Sequence, residues 1–150
     1  MRGKTTALLI FHHPQACREL AAILEKLAFC TRRVKTLAEA RHVLAGVNPP
    51  LLVFTESESP DGNWADVLSL SVQASAAVTV VVVGQQIDTM LYASVIEVGG
   101  FDFIAPPYNA VDLTHVVRCA ADHALARRQA AKKAISSVFS NFPPPSPTMA

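Results

Sequence analysis

Two histidines stand side by side at His12 and His13, and Glu56 follows a later apolar run. Two imidazoles and a carboxylate form the ligand set of many Zn²⁺ and Fe²⁺ sites, because a borderline cation accepts nitrogen as readily as oxygen. Neighbouring residues that leave a strand point to opposite sides, so both rings reach one ion only if the chain has already turned. Otherwise one ring stacks in a pocket beside Glu56 and the other meets solvent. The remaining reactive residue types make weaker patterns. Gly3-Lys4-Thr5 has the ending of a P-loop, but no glycine precedes it and a strand-like run, not a helix, follows. Ser57 and Ser59 lack the Gly-x-Ser-x-Gly frame of a nucleophile elbow. Cys17 sits near the start of a helical stripe, where a thiol pKa can fall, but it reads better as a small apolar packing residue. His42, His115 and His123 lie in helical stretches and read as surface or packing residues.

Composition narrows the field. A chain of 150 residues, 51% of them apolar, can bury one good core and is too short for two ordinary domains. With a net charge of +1 and 17% charged residues, it has no footprint for neutralising a phosphate backbone. Its nearest basic cluster, Arg127, Arg128, Lys132 and Lys133, reads as a solvated helix end. No apolar run approaches the roughly 20 residues that a membrane helix needs, and no small-residue cleavage site follows Met1-Arg2-Gly3-Lys4, so a soluble, cytoplasmic protein is expected. The cysteines, Cys17, Cys30 and Cys119, are odd in number and form no close pair, which favours free thiols.

The elements that must position His12, His13 and Glu56 follow from periodicity. Residues 6–11 form a short apolar run suited to a strand buried on both faces. Leu20, Ile23, Leu24 and Leu27 then recur at three-and-four spacing, which predicts a helix over 16–29. Residues 30–36 make a second strand whose Arg32, Arg33 and Lys35 suit a sheet edge. A second helix over 37–45 begins at Thr36 as N-cap, with Glu39 placed to complete a capping box. Residues 51–55 are a third strand, 56–63 a polar loop and 64–72 a third helix. The valine-rich run 77–83 is a central strand. A fourth helix over 87–98 stops at Gly99-Gly100, a fifth strand spans 101–105, and Asn109 is placed to cap a closing helix over 110–133. Alternating strands and helices with short connections predict an α/β protein with an open parallel sheet, whose reactive groups gather at the strands' carboxyl ends. The domain is expected over 5–133. Residues 134–150, with Pro143-Pro144-Pro145 and Pro147, read as a flexible tail or linker.

Two segments carry a family resemblance: Pro60-Asp61-Gly62 beyond the third strand, and Gly99-Gly100-Phe101-Asp102-Phe103-Ile104-Ala105-Pro106-Pro107-Tyr108. In these spacings the chain resembles the receiver domain of bacterial two-component response regulators, from about Thr5 to Arg128. The resemblance implies a doubly wound, flavodoxin-like (βα)5 fold with strand order 2-1-3-4-5. It also implies a phosphorelay role, with Mg²⁺ held by a pair of acidic residues after the first strand and by a phosphoryl-accepting aspartate after the third. A Ser or Thr after the fourth strand and a Lys after the fifth then hold the phosphoryl oxygens.

At these positions the chain has His12 and His13, Glu56, Gly84 and Pro106. Histidine is a poor ligand for hard Mg²⁺, glycine has no hydroxyl, and proline removes the cation. Glu56 sets its carboxylate about 1.5 Å from where an aspartate would, in a reaction that depends on positioning. Mg²⁺ binding and aspartyl-type phosphorylation are therefore expected to be lost, with no cofactor and no catalysis. Phe103, at the aromatic switch position, lacks the hydroxyl of the usual Tyr, so Glu56 as a built-in phosphate mimic has little to pull on. The Pro106-Pro107 peptide is expected to be cis, as in the family's Lys-Pro turn. What remains is a pseudo-receiver acting through protein partners, or as a homodimer, by its fourth helix, fifth strand and fifth helix. Leu91, Tyr92, Val95, Tyr108, Val111, His115 and Arg118 are its candidate contacts, some of which must be core. The competing expectation is a metal or small-ligand protein holding Zn²⁺ or Fe²⁺ at His12, His13 and Glu56.

Overall fold

A computed structural model describes residues 5 to 141, with side chains described as far as Val138. Strands β1 (Thr6–Ile10), β2 (Cys30–Val34), β3 (Leu52–Glu56), β6 (Thr79–Val83) and β7 (Asp102–Ile104) pair in parallel in the order β2-β1-β3-β6-β7. This is the expected 2-1-3-4-5 order of the main strands. Two further strands, β4 (Glu58–Ser59) and β5 (Gly62–Asn63), form a small antiparallel hairpin within the polar loop after β3. The helices are α1 (Pro14–Lys26), α2 (Leu37–Leu44), α3 (Trp64–Val72), α4 (Thr89–Val98) and α5 (Ala110–Asn141).

Period-two alternation divides the core between the faces of the sheet. Ala7, Leu9, Leu52, Phe54, Val81 and Val83 point to one face, where Leu20 and Leu24 of α1 and Leu113, Val117, Ala120 and Ala124 of α5 cover them. Leu8, Ile10, Val53 and Val80 point to the other and meet Leu37, Ala40 and Leu44 of α2 and Val67 and Leu68 of α3. Strands β3 and β6 are buried along their whole length, which is why their sequences run apolar without alternation. Strand β2 is mostly exposed, as its charges predict for an edge.

Three local expectations are corrected. Thr36 does cap α2, accepting from the Glu39 backbone N–H at 3.2 Å, but the Glu39 carboxylate accepts from Lys35 N–H at 3.4 Å, so the box is not closed. The reciprocal capping box lies at the start of α3, between Asn63 and Asp66. Helix α5 runs on to Asn141 and does not stop near Lys133; residues 134–141 lack an early proline or glycine to end it, and residues 142–150 of the expected tail lie outside the described residues. The basic cluster is not simply solvated. Arg128 donates to the carbonyls of Ala77 at 2.8 Å, Pro49 at 3.1 Å and Pro50 at 3.0 Å, and Arg127 donates to that of Val78 at 3.4 Å. Burial lowers the Arg128 pKa, as it does for any cation withdrawn from water. The amino ends of β3 and β6 are thus stitched to α5. No helix among the described residues is long and apolar enough to cross a membrane.

Candidate functional site

Strand β1 ends at Ile10, and by Pro14 the chain is already helical, with His13 as the N-cap of α1. Proline suits that first helical turn because its missing N–H is one that a helix start leaves unpaired. The turn defeats the alternation of a pleated strand and places both imidazoles on the same side, with ring centroids 4.1 Å apart and planes inclined by 42°. Glu56, the last residue of β3, is buried beneath them. Its Oε1 accepts from the backbone N–H groups of His12 at 2.6 Å and His13 at 2.9 Å. Its Oε2 makes a close contact with His13 Nδ1, and His12 Nδ1 lies 3.4 Å from Oε1. The arrangement with one ring stacked and the other turned away is therefore not found: both rings gather at one carboxylate. Glu56 also satisfies two amide groups that the β1–α1 turn would leave without partners.

Across the cleft, Gln85, Gln86 and Asp88 follow Gly84, and the glycine itself meets an aromatic ring. A Cβ placed on Gly84, the residue after β6, would lie 2.4 Å from Cζ and 2.7 Å from Cε2 of Phe103. The Phe103 ring thus fills the volume in which a residue-84 side chain would stand, so the glycine and the phenylalanine are one packing arrangement. His12, His13, Glu56 and Gly84 line a common cleft of about 270 Å³, together with Glu58, Asp88 and Leu91. Pro106 is not among them. It borders a separate depression with Glu19, Ile23 and Tyr108, and its peptide bond to Pro107 is cis. Tyr108 packs against the α1–α5 core, and its hydroxyl is buried with no hydrogen-bond partner among the described residues. Burial, followed by the nearby carboxylates of Glu19 and Glu56, pushes this phenol up to about 12.

Asp61 has a role that local sequence does not reveal. Its carboxylate accepts from the backbone N–H groups of Leu37 at 2.8 Å and Ala38 at 3.1 Å, capping α2 from across the fold. The Leu37 hydrogen bond, more than any other cause, holds this carboxyl below its usual pKa. Gly62 makes the approach feasible, since a Cβ there would sit 2.2 Å from Leu37 Cδ1. Pro60-Asp61-Gly62 signals a turn, and nothing nearby names the helix that the turn touches. Cys17 is a packing residue: burial is the main influence on its thiol and raises its pKa.

The expected contact residues separate. Tyr92, Val111, His115 and Arg118 are exposed, Leu91 is half-buried at the cleft, and Val95 is wholly buried. Val95 is withdrawn because its Cγ1 packs against Gly100, where a Cβ would come within 2.4 Å. Tyr108 is likewise turned towards the core. Exposed apolar residues that were not among the expected contacts occur in and just before α4: Ile87, Met90, Ile96 and Val98, of which Ile96 lies one turn from Tyr92. His123 meets Thr79 Oγ1 at 3.2 Å and tilts over Phe101, a packing role.

No family model matches the chain, and no curated protein matches it. Solved structures do. The signal receiver domain of an HD domain-containing protein from Pseudomonas fluorescens Pf-5 superposes with a TM-score of 0.75 at 19% identity, over 86% of this chain and 95% of that one. The non-phosphorylated HemR receiver domain from Leptospira biflexa gives 0.66 at 22% identity, over 79% and 94%. A beryllofluoride-activated NtrC4 receiver domain dimer gives 0.68 at 18% identity, over 79% and 98%. The chain has the fold of a response-regulator receiver domain. Against that fold, the Mg²⁺ that the resemblance implies does not fit the donor set, which offers two imidazoles and one carboxylate to an ion that selects oxygen.

Proposed function

We propose that the chain is a pseudo-receiver: a non-catalytic signalling module of the two-component type that works through protein contacts without aspartyl phosphorylation. The observation that carries this reading is the Phe103 ring against Gly84, which occupies the place where a phosphoryl-tracking hydroxyl would have to stand. Receiver switching requires a hydroxyl and an aromatic side chain to move towards new charge, and here one is absent while the other fills the gap. On the opposite side, both oxygens of Glu56 are already engaged by His12 and His13. Oε1 is therefore tied into the loop by two amides, and the His13 ring stands between Oε2 and a phosphodonor.

The partner surface in this reading is the exposed part of the α4–β7–α5 face. Tyr92 of α4 and Val111 of α5 are exposed apolar candidates for it, with His115 and Arg118 as polar ones. A protein partner or a second copy of the chain is the proposed occupant. The test is a titration with beryllofluoride or acetyl phosphate in excess Mg²⁺, followed by amide NMR shifts. No saturable shift is expected around Glu56 and Gly84. A saturable conformational response with micromolar affinity would overturn the reading.

A further inference from the structure

We propose that His12, His13 and Glu56 form a binding site for a borderline divalent transition metal, with Zn²⁺ as the representative ion. One potential ligand atom from each residue lies within 4.8 Å of the others, and no other such trio occurs among the described residues. Zn²⁺ bonded at about 2.0–2.1 Å to nitrogen and oxygen in tetrahedral geometry holds its ligands roughly 3.4 Å apart. His12 Nδ1 stands 3.4 Å from the Glu56 carboxylate, at Oε1, while His13 Nδ1 touches Oε2 more closely; the half-exposed His13 ring has to swing back to admit an ion and the His12 ring to turn towards Oε2.

The carboxylate is prepared for this role. Glu56 Oε1 is fixed by the His12 and His13 amides, which leaves Oε2, the oxygen that faces the His13 ring, as the ligating atom. Hydrogen bonds of this kind orient a ligand before the metal arrives. Three protein ligands leave one coordination position open, and the site faces an open cleft of about 270 Å³, which supplies an entry path and room for water or an anionic group. Glu58 and Asp88 line the same cleft and add carboxylates around the incoming cation. The donor set excludes Mg²⁺ and selects ions that bind imidazole.

This inference stands apart from the pseudo-receiver reading, since neither phosphorylation nor its absence enters it. The experiment uses the tag-free 150-residue chain treated with chelator and then titrated with Zn²⁺ by calorimetry and with Co²⁺ by visible absorption, each in excess Mg²⁺. The expected result is one ion per chain at micromolar or tighter affinity, with Co²⁺ bands characteristic of a four- or five-coordinate nitrogen and oxygen site. His12→Ala and His13→Ala change partly exposed rings. Each should weaken binding at least tenfold while the circular dichroism of the metal-free protein stays unchanged. Stoichiometric binding that survives both substitutions, or affinity no tighter than millimolar, would overturn the proposal. A beryllofluoride response would sink the pseudo-receiver reading and leave this one standing.

Discussion

The two halves of the cleft at the sheet's carboxyl edge differ in kind. On the β1–β3 side, His12, His13 and Glu56 keep polar groups and bind them to one another. On the β6–β7 side, Gly84 and Phe103 meet in hydrocarbon packing, beneath the polar Gln85, Gln86 and Asp88 of the cleft wall. A cleft of this kind can thus be stabilised by two routes. One re-pairs the charges, because an unpartnered buried carboxylate is costly; the other fills the space, because an empty volume is costly too. The first route leaves a group that can still bind something. The second closes the matter.

The strongest test of the polar half is Glu56→Ala in the metal-free protein. It removes a charged acceptor from two amides and an imidazole, and it should lower stability by about 3 kcal/mol, measured by urea denaturation. A loss below about 0.5 kcal/mol would show that the re-pairing is incidental. On the apolar half, Gly84→Ala forces the Phe103 ring aside and should cost about 2 kcal/mol. The same substitution in a Phe103→Ala background should cost almost nothing, and equal costs in the two backgrounds would mean that the pair is not coupled.

The smallest effect has the opposite sign. Tyr108→Phe deletes a buried hydroxyl without a partner and should leave stability unchanged or raise it by up to about 1 kcal/mol at neutral pH. The folded phenol titrates near 12 against 10.0 for a free one, so its contribution is complete below pH 10 and is lost as pH rises through about 12. The wild type should therefore lose more stability than Tyr108→Phe between pH 10 and pH 12, as read from thermal melts.

Much of this was legible because the relevant signals are local. The apolar runs at Leu8, Phe54 and Val81 announce buried strands, and Asn109 announces a helix start that the structure confirms by accepting from Val111 and Asp112. The meeting of His12 with His13 was legible only as a condition, that the chain had already turned, because the alternation rule holds only inside a pleated strand and β1 ends before either residue. Val95 was not sorted from the exposed candidates because α4 carries apolar residues on several faces, and only the close approach of Gly100 selects which one is buried. Asp61 was read as a turn residue because its partners, Leu37 and Ala38, are brought to it by the tertiary fold. The pairing of Gly84 with Phe103 escaped for the same reason: each residue could be scored as a loss, but their mutual fit exists only in three dimensions.

The Arg128 contacts give α5 a mechanical character. The guanidinium pins the helix at the amino ends of β3 and β6, and the described side chains continue from there to Val138. At about 1.5 Å per residue that stretch is a stiff arm of roughly 15 Å with Arg128 as its fulcrum. A small tilt of α5 about that point would move Ile135 and Val138, both exposed, further than any residue near Arg128.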